Sequence, residues 1–454
     1  MNKIPGTRIT KRAAAFLADP RRALAVAAVL HLLITLLIFT VGICRISPEQ
    51  WDEHGIGEFA QDGHTYRVQA ESLAHRLQQF DLSAWLRDSA PFHVKLYSIC
   101  FALLGPLLGA NILAAEPLNL FCYLTILLLT FSLAKMIAGQ RTAWLAAIIV
   151  ALWPSLLLHT TQLLRDQIFI AAMLALILVL TNLLAKTNSV LRGLAVGGGG
   201  ALAYLVFSLT RTEMRLVATA IVFIGVGLFL IRMLRERRLL AGSLLGIIVL
   251  IIAMVIPARQ IQPVPGSAAS GSAPVIADPS LWAYIATLRR RFAVQYPSSG
   301  SNIDADVQFS SAGDVIRYVP RALEIGLLAP FPEMWFQPRR FVGMAGRLLL
   351  AVETSLTYVL TALACMFTWK RRRCLPVWML AFAVLTGATA LGLVVTNLGA
   401  LYRMRYGFWV LLTIVGSGAL AGFFRRIGSE RDGTGDLGLS TDISSHLAQL
   451  GKPD

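Results

Sequence analysis

Carboxylates and arginines stand together where apolar runs of this sequence end. Asp166 directly follows Arg165 between the apolar runs 142–163 and 167–185, and Asp62 lies in the polar stretch after the first apolar run. A carboxylate within hydrogen-bond reach of an acceptor proton can act as a general base. Arginine presents a planar fork of donors that matches phosphate oxygens. The combination predicts a base beside a bound phosphate.

The candidate residues come from several separate segments. Asp62 is the first choice for the base, and the alternatives are Asp52, Glu53 and Asp166. The candidate phosphate ligands are arginines that flank apolar runs. They are Arg165, Arg211, Arg215, Arg403 and Arg405. Ion pairs that only anchor helix ends, such as Arg165 with Asp166, are the alternative interpretation for each of them.

A metal cofactor stays open at this point. His64 and His93 could donate to a substrate or hold a divalent cation together with the carboxylates, but their spacing is not diagnostic of a metal site. The five cysteines include no CxxC pair and no Cys/His cluster, which argues against a zinc site or a disulfide framework.

The elements that position these residues are membrane helices. The 454 residues are 56% hydrophobic and 15% charged, which is too apolar for a soluble globular domain. Apolar runs that can cross about 30 Å of hydrocarbon recur from Ala23 to Phe424. The net charge of +16 does not indicate nucleic acid, because the basic residues flank the apolar runs. The predicted fold is an all-α polytopic membrane protein.

The charge pair at 165 and 166 determines the predicted topology. An ionised side chain at the bilayer centre costs about 2.5 to 3.5 kcal/mol, so Arg165 and Asp166 are expected at a membrane face. Basic clusters that mark the cytoplasmic side make this face the extracytoplasmic one. The loop after the first helix is extracytoplasmic as well, so the number of crossings between that loop and the pair must be even. Three apolar segments lie between them. The segment 96–113, interrupted by Pro106, is therefore predicted to be interfacial.

About ten spans remain, together with juxtamembrane helices and one long extracytoplasmic loop. The predicted spans are 23–44, 117–138, 142–163, 167–185, 193–210, 214–232, 239–256, 347–369, 375–396 and 404–424. The predicted organisation is a cytoplasmic N-terminus (1–22), a first membrane module (23–256) with an extracytoplasmic loop (45–95) and the interfacial helix (96–113), a long extracytoplasmic loop (257–346), C-terminal helices (347–424) and a disordered cytoplasmic tail (425–454).

Several short motifs, in this order, resemble the GT-C superfamily of polytopic glycosyltransferases that use polyprenyl-phosphate sugars, including the protein O-mannosyltransferase and aminoarabinose transferase branches. They are Asp62-Gly63-His64-Thr65-Tyr66, His93-Val94-Lys95-Leu96-Tyr97, Trp153-Pro154 followed by Leu163-Leu164-Arg165-Asp166, and Tyr402-Arg403-Met404-Arg405-Tyr406. The chain departs from the family pattern at Val94 and Lys95, where prolines are usual.

The resemblance implies hexosyl or pentosyl transfer from a polyprenyl-phosphate carrier to an extracytoplasmic glycan, lipid or protein, with inversion at the anomeric carbon. It implies Asp62 or Asp166 as the catalytic carboxylate. It adds Tyr66, His93 and Lys95 to the arginines as ligands of the lipid phosphate. The expected place is the bacterial inner membrane, with the active site on the extracytoplasmic face, membrane lipids as further partners and a role in cell-envelope polysaccharide.

Two other functions fit the same outline. An O-antigen ligase or polymerase would move glycans between diphosphate lipids and would depend on the arginines of the long loop, among them Arg289 and Arg321. A flippase for lipid-linked sugars would need ionisable residues within the spans.

Overall fold

The computed structural model describes residues 19–255, 280–295, 302–335 and 344–433. Within these ranges the secondary structure is helical apart from two isolated β-bridges, Trp51–Gly57 and Asn302–Asn397. The helices are α1 (Pro20–Ile43), α2 (Asp62–Gln78), α3 (Leu82–Arg87), α4 (Phe92–Leu108), α5 (Ile112–Ala138), α6 (Gln140–Ala151), α7 (Pro154–Thr160), α8 (Asp166–Ala185), α9 (Val190–Thr210), α10 (Arg215–Glu236), α11 (Ala241–Val255), α12 (Leu281–Gln295), α13 (Ala312–Leu328), α14 (Met344–Lys370), α15 (Leu375–Val394) and α16 (Leu398–Gly433).

The all-α polytopic fold is confirmed. Eight helices in the described residues are long and apolar enough to cross a membrane, and the bent pair α6 and α7 makes a ninth if it counts as one span. The eight are α1, α5, α8, α9, α10, α14, α15 and α16. Of the about ten spans expected from the sequence, 142–163 corresponds to the bent pair and 239–256 to the shorter α11. Helix α16 continues to Gly433, so the first part of the predicted disordered tail, 425–433, is helical. The rest of that tail lies outside the described residues, and so does the N-terminus before residue 19.

The bend between α6 and α7 measures 66° and occurs at Trp153-Pro154. Proline has no N–H to donate and disfavours helical geometry in the residue before it, which explains the break. The first turn of α7 is held by the buried Glu353 of α14. The Ser155 N–H donates to one oxygen of that carboxylate at 2.9 Å, and the hydroxyls of Ser155 and Tyr402 donate to the other. Glu353 thus joins α7, α14 and α16.

A second polar cluster, the His31 cluster, anchors α1 to its neighbours. His31 is fully buried, with Nδ1 2.7 Å from a Glu116 oxygen and Nε2 3.2 Å from the Thr160 hydroxyl. Thr35 donates to the other Glu116 oxygen at 2.9 Å. The imidazole also lies against the ring of Tyr123, with centroids 4.6 Å apart. Both nitrogens of His31 and both oxygens of Glu116 therefore have partners inside the bundle.

Helix α4 begins and ends against the same segment, residues 45–91. At its start, the His93 ring contacts the Tyr66 ring of α2 with centroids 4.4 Å apart. Just beyond its end, the Ile112 N–H donates to the carbonyl of His54 at 3.2 Å. A helix whose two ends meet one surface segment has no need to cross the bilayer. The interfacial position of 96–113 stays a prediction, and the helix begins four residues earlier than expected, at Phe92.

Helix α13 belongs to the predicted long loop, yet it packs along α15 at the distance of backbone contact. A Cβ added at Gly326 would overlap the carbonyl of Ala388, and one at Gly392 would overlap that of Ala322. The end of α13 lies inside the bundle, where Arg405 donates to the Ala329 carbonyl at 2.6 Å and to that of Leu327 at 3.1 Å. The last carbonyls of a helix have no partners within it and favour a cation. Arg405 supplies the hydrogen-bond donors for these carbonyls and the positive charge.

Arg289 of α12 performs a similar task for residues 302–310. Its buried guanidinium donates to the carbonyls of Val307 at 3.0 Å and Leu393 at 2.9 Å. It also lies over the rings of Phe309 and Tyr318. The contact with Leu393 pins this part of the chain to the end of α15.

Candidate active site

Six charged side chains from four segments meet at one end of the bundle, and we call them the site cluster. They are Asp62 at the start of α2, Arg165 and Asp166 at the start of α8, Arg211 and Glu213 between α9 and α10, and Arg403 near the start of α16. Asp62 and Asp166 lie in the first turns of α2 and α8, where the helix dipole favours negative charge, and Glu213 lies in a short 3-10 turn (Thr212–Met214) before α10. Two of the three carboxylates that the arginines contact are therefore at helix starts.

The ion pairs of the site cluster join different segments. Arg403 donates to one oxygen of Asp62 at 2.8 Å, although 341 residues separate them. Arg165 lies 3.1 Å from Glu213, and Arg211 forms a short bond to Asp166 and a second contact of 3.4 Å to Glu213. The sequence neighbours Arg165 and Asp166 thus find their close partners in the 211–213 segment.

Exposure distinguishes the pairs from one another. The side chains of Arg211 and Asp166 are 3% and 5% exposed, whereas Asp62 is 39% exposed and its partner Arg403 16%. Asp166 is thus a buried counter-ion. Asp62 is the carboxylate of the cluster that an acceptor in solvent can reach most readily.

Two uncharged side chains, His93 and Tyr66, lie beside the site cluster. His93 is 1% exposed, and neither ring nitrogen has a hydrogen-bond partner in the structure. Burial, together with Arg165 and Arg211 nearby, lowers the pKa of His93 to about 3, so the imidazole is neutral at pH 7. Burial also raises the pKa of Tyr66, while Arg165 lowers it. A neutral imidazole with both nitrogens unused offers one donor and one acceptor.

A hydrogen-bond network fixes the turn that carries Arg165 and Asp166. Gln167 donates to the Tyr97 hydroxyl at 2.6 Å and to Asn119 at 2.8 Å, and Tyr97 donates to the Leu164 carbonyl at 2.9 Å. Sequence reasoning did not assign this role to Gln167 or Asn119. The polar residues at the edges of two apolar runs were the available signal.

His159 is a further residue that the sequence did not single out. Its Nδ1 lies 2.6 Å from the Ser155 carbonyl and 3.2 Å from the Tyr406 hydroxyl. The ring also contacts Phe59, with centroids 4.9 Å apart. His159 therefore links the broken helix α7 to α16, close enough to Arg403 and Asp166 of the site cluster to interact with them electrostatically.

Two of the predicted phosphate ligands are engaged elsewhere. Arg405 follows Arg403 by two residues in α16 and binds the end of α13, as described above. Lys95 follows His93 by two residues in α4, donates to the Leu86 carbonyl at 3.0 Å and lies over the Trp85 ring. In both cases a separation of two residues places the side chains on different faces of a helix. Neither belongs to the site cluster.

The remaining candidates, Asp52, Glu53 and Arg215, contact residues outside the site cluster. Asp52 accepts from the backbone N–H groups of His54 and Ile56 at 3.0 and 2.7 Å, and His64 lies 3.3 Å from its other oxygen. Glu53 is 62% exposed and pairs with Arg45 at 3.6 Å. Arg215 begins α10 and interacts electrostatically with Tyr284 of α12. Asp52 thus shapes its own turn, and Glu53 faces solvent.

The side chains around the site cluster bear on the metal alternative. No group of three or more His, Cys, Asp or Glu side chains among the described residues is arranged to hold a metal ion. His93 lies beside Arg165 and Arg211, whose positive charge opposes a cation. His64 and Asp52 form only a pair.

Comparisons with known proteins found likeness only among solved structures. No family model matches the chain, and no curated protein sequence matches it. The apo oligosaccharyltransferase of Archaeoglobus fulgidus has a TM-score of 0.46 at 13% identity, over 92% of this chain and 53% of that one. The same organism's oligosaccharyltransferase AglB, in complex with an inhibitory peptide and a dolichol-phosphate, has a TM-score of 0.46 at 13% identity, over 93% of this chain and 53% of that one. This chain spans about half of their length.

Proposed function

We propose that this protein is an integral-membrane glycosyltransferase that moves a sugar from a polyprenyl-phosphate carrier to an acceptor. The observation that carries the proposal is the site cluster. It sets a solvent-accessible carboxylate, Asp62, beside arginines from three other segments at one end of a bundle of membrane-spanning helices. A lipid phosphate at the headgroup level meets cations there, and an acceptor from the aqueous side meets a base.

Asp62 acts as the general base in the proposed reaction. The acceptor nucleophile attacks the anomeric carbon from the side opposite the phosphate, and the bond from that carbon to the phosphate oxygen breaks with its electron pair on the oxygen. The acceptor proton passes to Asp62. The configuration at the anomeric carbon is inverted, and the products are the glycosylated acceptor and the lipid phosphate.

The arginines stabilise the departing phosphate. Charged donors that are already in place where charge develops lower the barrier without reorganisation. Arg165 and Arg403 are the partly exposed arginines of the cluster, at 29% and 16%, and this exposure supports their assignment as the residues that touch the phosphate. The buried Asp166 orients Arg211. Tyr66 and His93 supply uncharged hydrogen-bonding groups for the donor.

The proposed orientation puts the site cluster on the extracytoplasmic face of a bacterial inner membrane, with both termini in the cytoplasm. Basic residues at Arg232 and Arg235 and at Lys370 to Arg373 lie at helix ends or turns away from the site cluster, as the positive-inside rule requires. The acceptor on that face is a glycan, lipid or protein, and the product contributes to the cell envelope.

The decisive test is Asp62→Asn in purified, full-length protein. Incubation with radiolabelled polyprenyl-phosphate sugars and a panel of acceptors should show transfer by the wild type and a loss of about 10²- to 10⁴-fold in the variant. The matched control is Glu71→Gln, which removes one charge from the same helix at a residue paired with Arg67. Turnover near the wild-type value in Asp62→Asn would remove Asp62 as the base.

One observation favours a second candidate, translocation of the lipid-linked sugar. His31 and Glu116 lie within spans, as does Glu353, and intramembrane ionisable residues often mark transport pathways. Proteoliposomes that move labelled lipid phosphate sugar across the bilayer without covalent transfer would support it. The ligase alternative gains no such support, because Arg289 binds backbone carbonyls and Arg321 pairs with Asp304 and Glu324.

A further inference from the structure

We propose that Asp62 and the donor phosphate compete for Arg403, so that binding of the donor releases Asp62 to act as base. The inference rests on the proposed function and adds an order of events to it. The donor has to bind before the acceptor can be deprotonated.

The side chains of the site cluster carry no net charge. The three arginines and three carboxylates cancel, and each arginine has a carboxylate within 4.0 Å. A phosphate that enters this cluster adds negative charge and competes with the carboxylates for the guanidinium groups. Binding is therefore favoured when one carboxylate gives up its arginine.

The ion pair that opens is the one between Asp62 and Arg403. Separating Arg211 from Asp166, at 3% and 5% exposure, would leave a buried charge without its partner, which is costly. Glu213 contacts both Arg165 and Arg211, so it keeps a partner if one of them turns away. Asp62 is the most exposed carboxylate of the three, and Arg403 donates to one of its oxygens at 2.8 Å. Water can take the place of Arg403 on Asp62.

The transfer of Arg403 from Asp62 to the phosphate would affect both the leaving group and the base. Arg403 would move its donors from Asp62 to the phosphate, where charge develops during transfer. Asp62 would lose its hydrogen bond from Arg403, and the oxygen that held this bond would become free to accept the proton of the acceptor. One movement of a guanidinium thus prepares the leaving group and the base together.

Binding of undecaprenyl phosphate without a sugar tests the competition directly. In purified full-length protein, Asp62→Asn should bind this lipid about fivefold more tightly than the wild type, which is the ratio expected when a competing, partly exposed ion pair is lost. Arg403→Ala should bind it about ten- to a hundredfold more weakly. Glu71→Gln should bind it as the wild type does, because its partner Arg67 is outside the site cluster.

A second measurement follows Asp62 itself. Labelling of carboxyl groups with a carbodiimide and glycine ethyl ester, read by mass spectrometry, should show more labelled Asp62 after undecaprenyl phosphate is added, with Glu71 unchanged in the same digest. In Arg403→Ala the labelling of Asp62 should already be high without lipid. Melting temperatures of all variants in detergent establish that they are folded.

The outcomes separate this inference from the proposed function. Undecaprenyl phosphate that binds Asp62→Asn no more tightly than the wild type would overturn the competition while leaving the lipid-phosphate site in place. No binding to the wild type would overturn both. Inorganic phosphate with undecaprenol should not reproduce the labelling change at equal concentration, and if it does, the site belongs to a free anion and the donor order is wrong.

Discussion

The site cluster and the His31 cluster are both groups of ionisable residues with buried members, and they differ in how their polar atoms are used. In the His31 cluster both nitrogens of the imidazole and both oxygens of Glu116 have partners within 3.2 Å. In the site cluster Asp62 is 39% exposed, and both nitrogens of His93, which lies beside the cluster, are without a hydrogen-bond partner. The first cluster is complete, whereas the second can accept a ligand.

The contrast separates charge that holds helices together from charge that can do chemistry. A buried polar group without a hydrogen bond costs free energy, so a fold retains one only where something else satisfies it. Arg405 and Glu353 follow the His31 pattern, because their partners are helix ends and hydroxyl groups. His93 differs from them, because both of its ring nitrogens are buried without a hydrogen-bond partner.

The largest effect expected from this contrast is on stability at the buried pair. Arg211→Met leaves Asp166 as an uncompensated buried charge and should cost about 3 to 5 kcal/mol in the free energy of unfolding. Asp62→Asn, at the exposed pair, should cost about 1 kcal/mol or less. Denaturant-induced unfolding in detergent measures both. Equal losses would show that the two pairs are equally structural.

A smaller loss is expected in the His31 cluster. Glu116→Leu leaves His31 and Thr35 without acceptors and should cost about 1 to 3 kcal/mol, while Glu116→Gln, which keeps a carbonyl acceptor, should cost less. Glycosyl transfer per folded molecule should stay at the wild-type level in both. A transfer defect of more than a few-fold in folded Glu116→Gln would contradict the purely structural role.

The last expected effect is a change in how stability depends on pH, caused by His93. Because its pKa falls from 6.5 to about 3 on folding, the unfolded chain binds the proton first as the pH drops. This contribution is fully present above pH 6.5 and is lost towards pH 3, at up to about 1.4 kcal/mol per pH unit. His93→Asn should flatten the wild-type curve of stability between pH 7 and pH 5. Parallel curves would mean that His93 is already protonated or solvated in the folded protein.

The sequence predicted the spans better than the side-chain directions. Apolar runs of sufficient length identified the spanning helices, and the need to keep charge out of hydrocarbon brought Arg165, Arg211 and Arg403 to one end of the bundle. Arg405 and Lys95 were grouped with Arg403 and His93 because they are near in sequence. The structure begins α16 at Leu398 and α4 at Phe92, so each pair lies within a helix and diverges by its two-residue spacing.

The pairing of the charges could not be predicted from the sequence. Asp62 and Arg403 are 341 residues apart and Asp166 and Arg211 are 45 apart, so only tertiary packing selects them as partners. His31, Glu116 and Glu353 were overlooked for another reason. Each is a single ionisable residue in an apolar run, and the average hydrophobicity of the run conceals it.

The buried core is shared by helices from before and after the long connection between α11 and α12. Val222 of α10 and Leu174 of α8 belong to the same core as Leu380 of α15 and Val410 of α16. Glu353 reaches across the connection to Ser155, and Arg403 reaches across it to Asp62. The chain is therefore a natural subject for fragment complementation. Two polypeptides separated within that connection and expressed together should assemble through these contacts, whereas neither alone would contain a complete site.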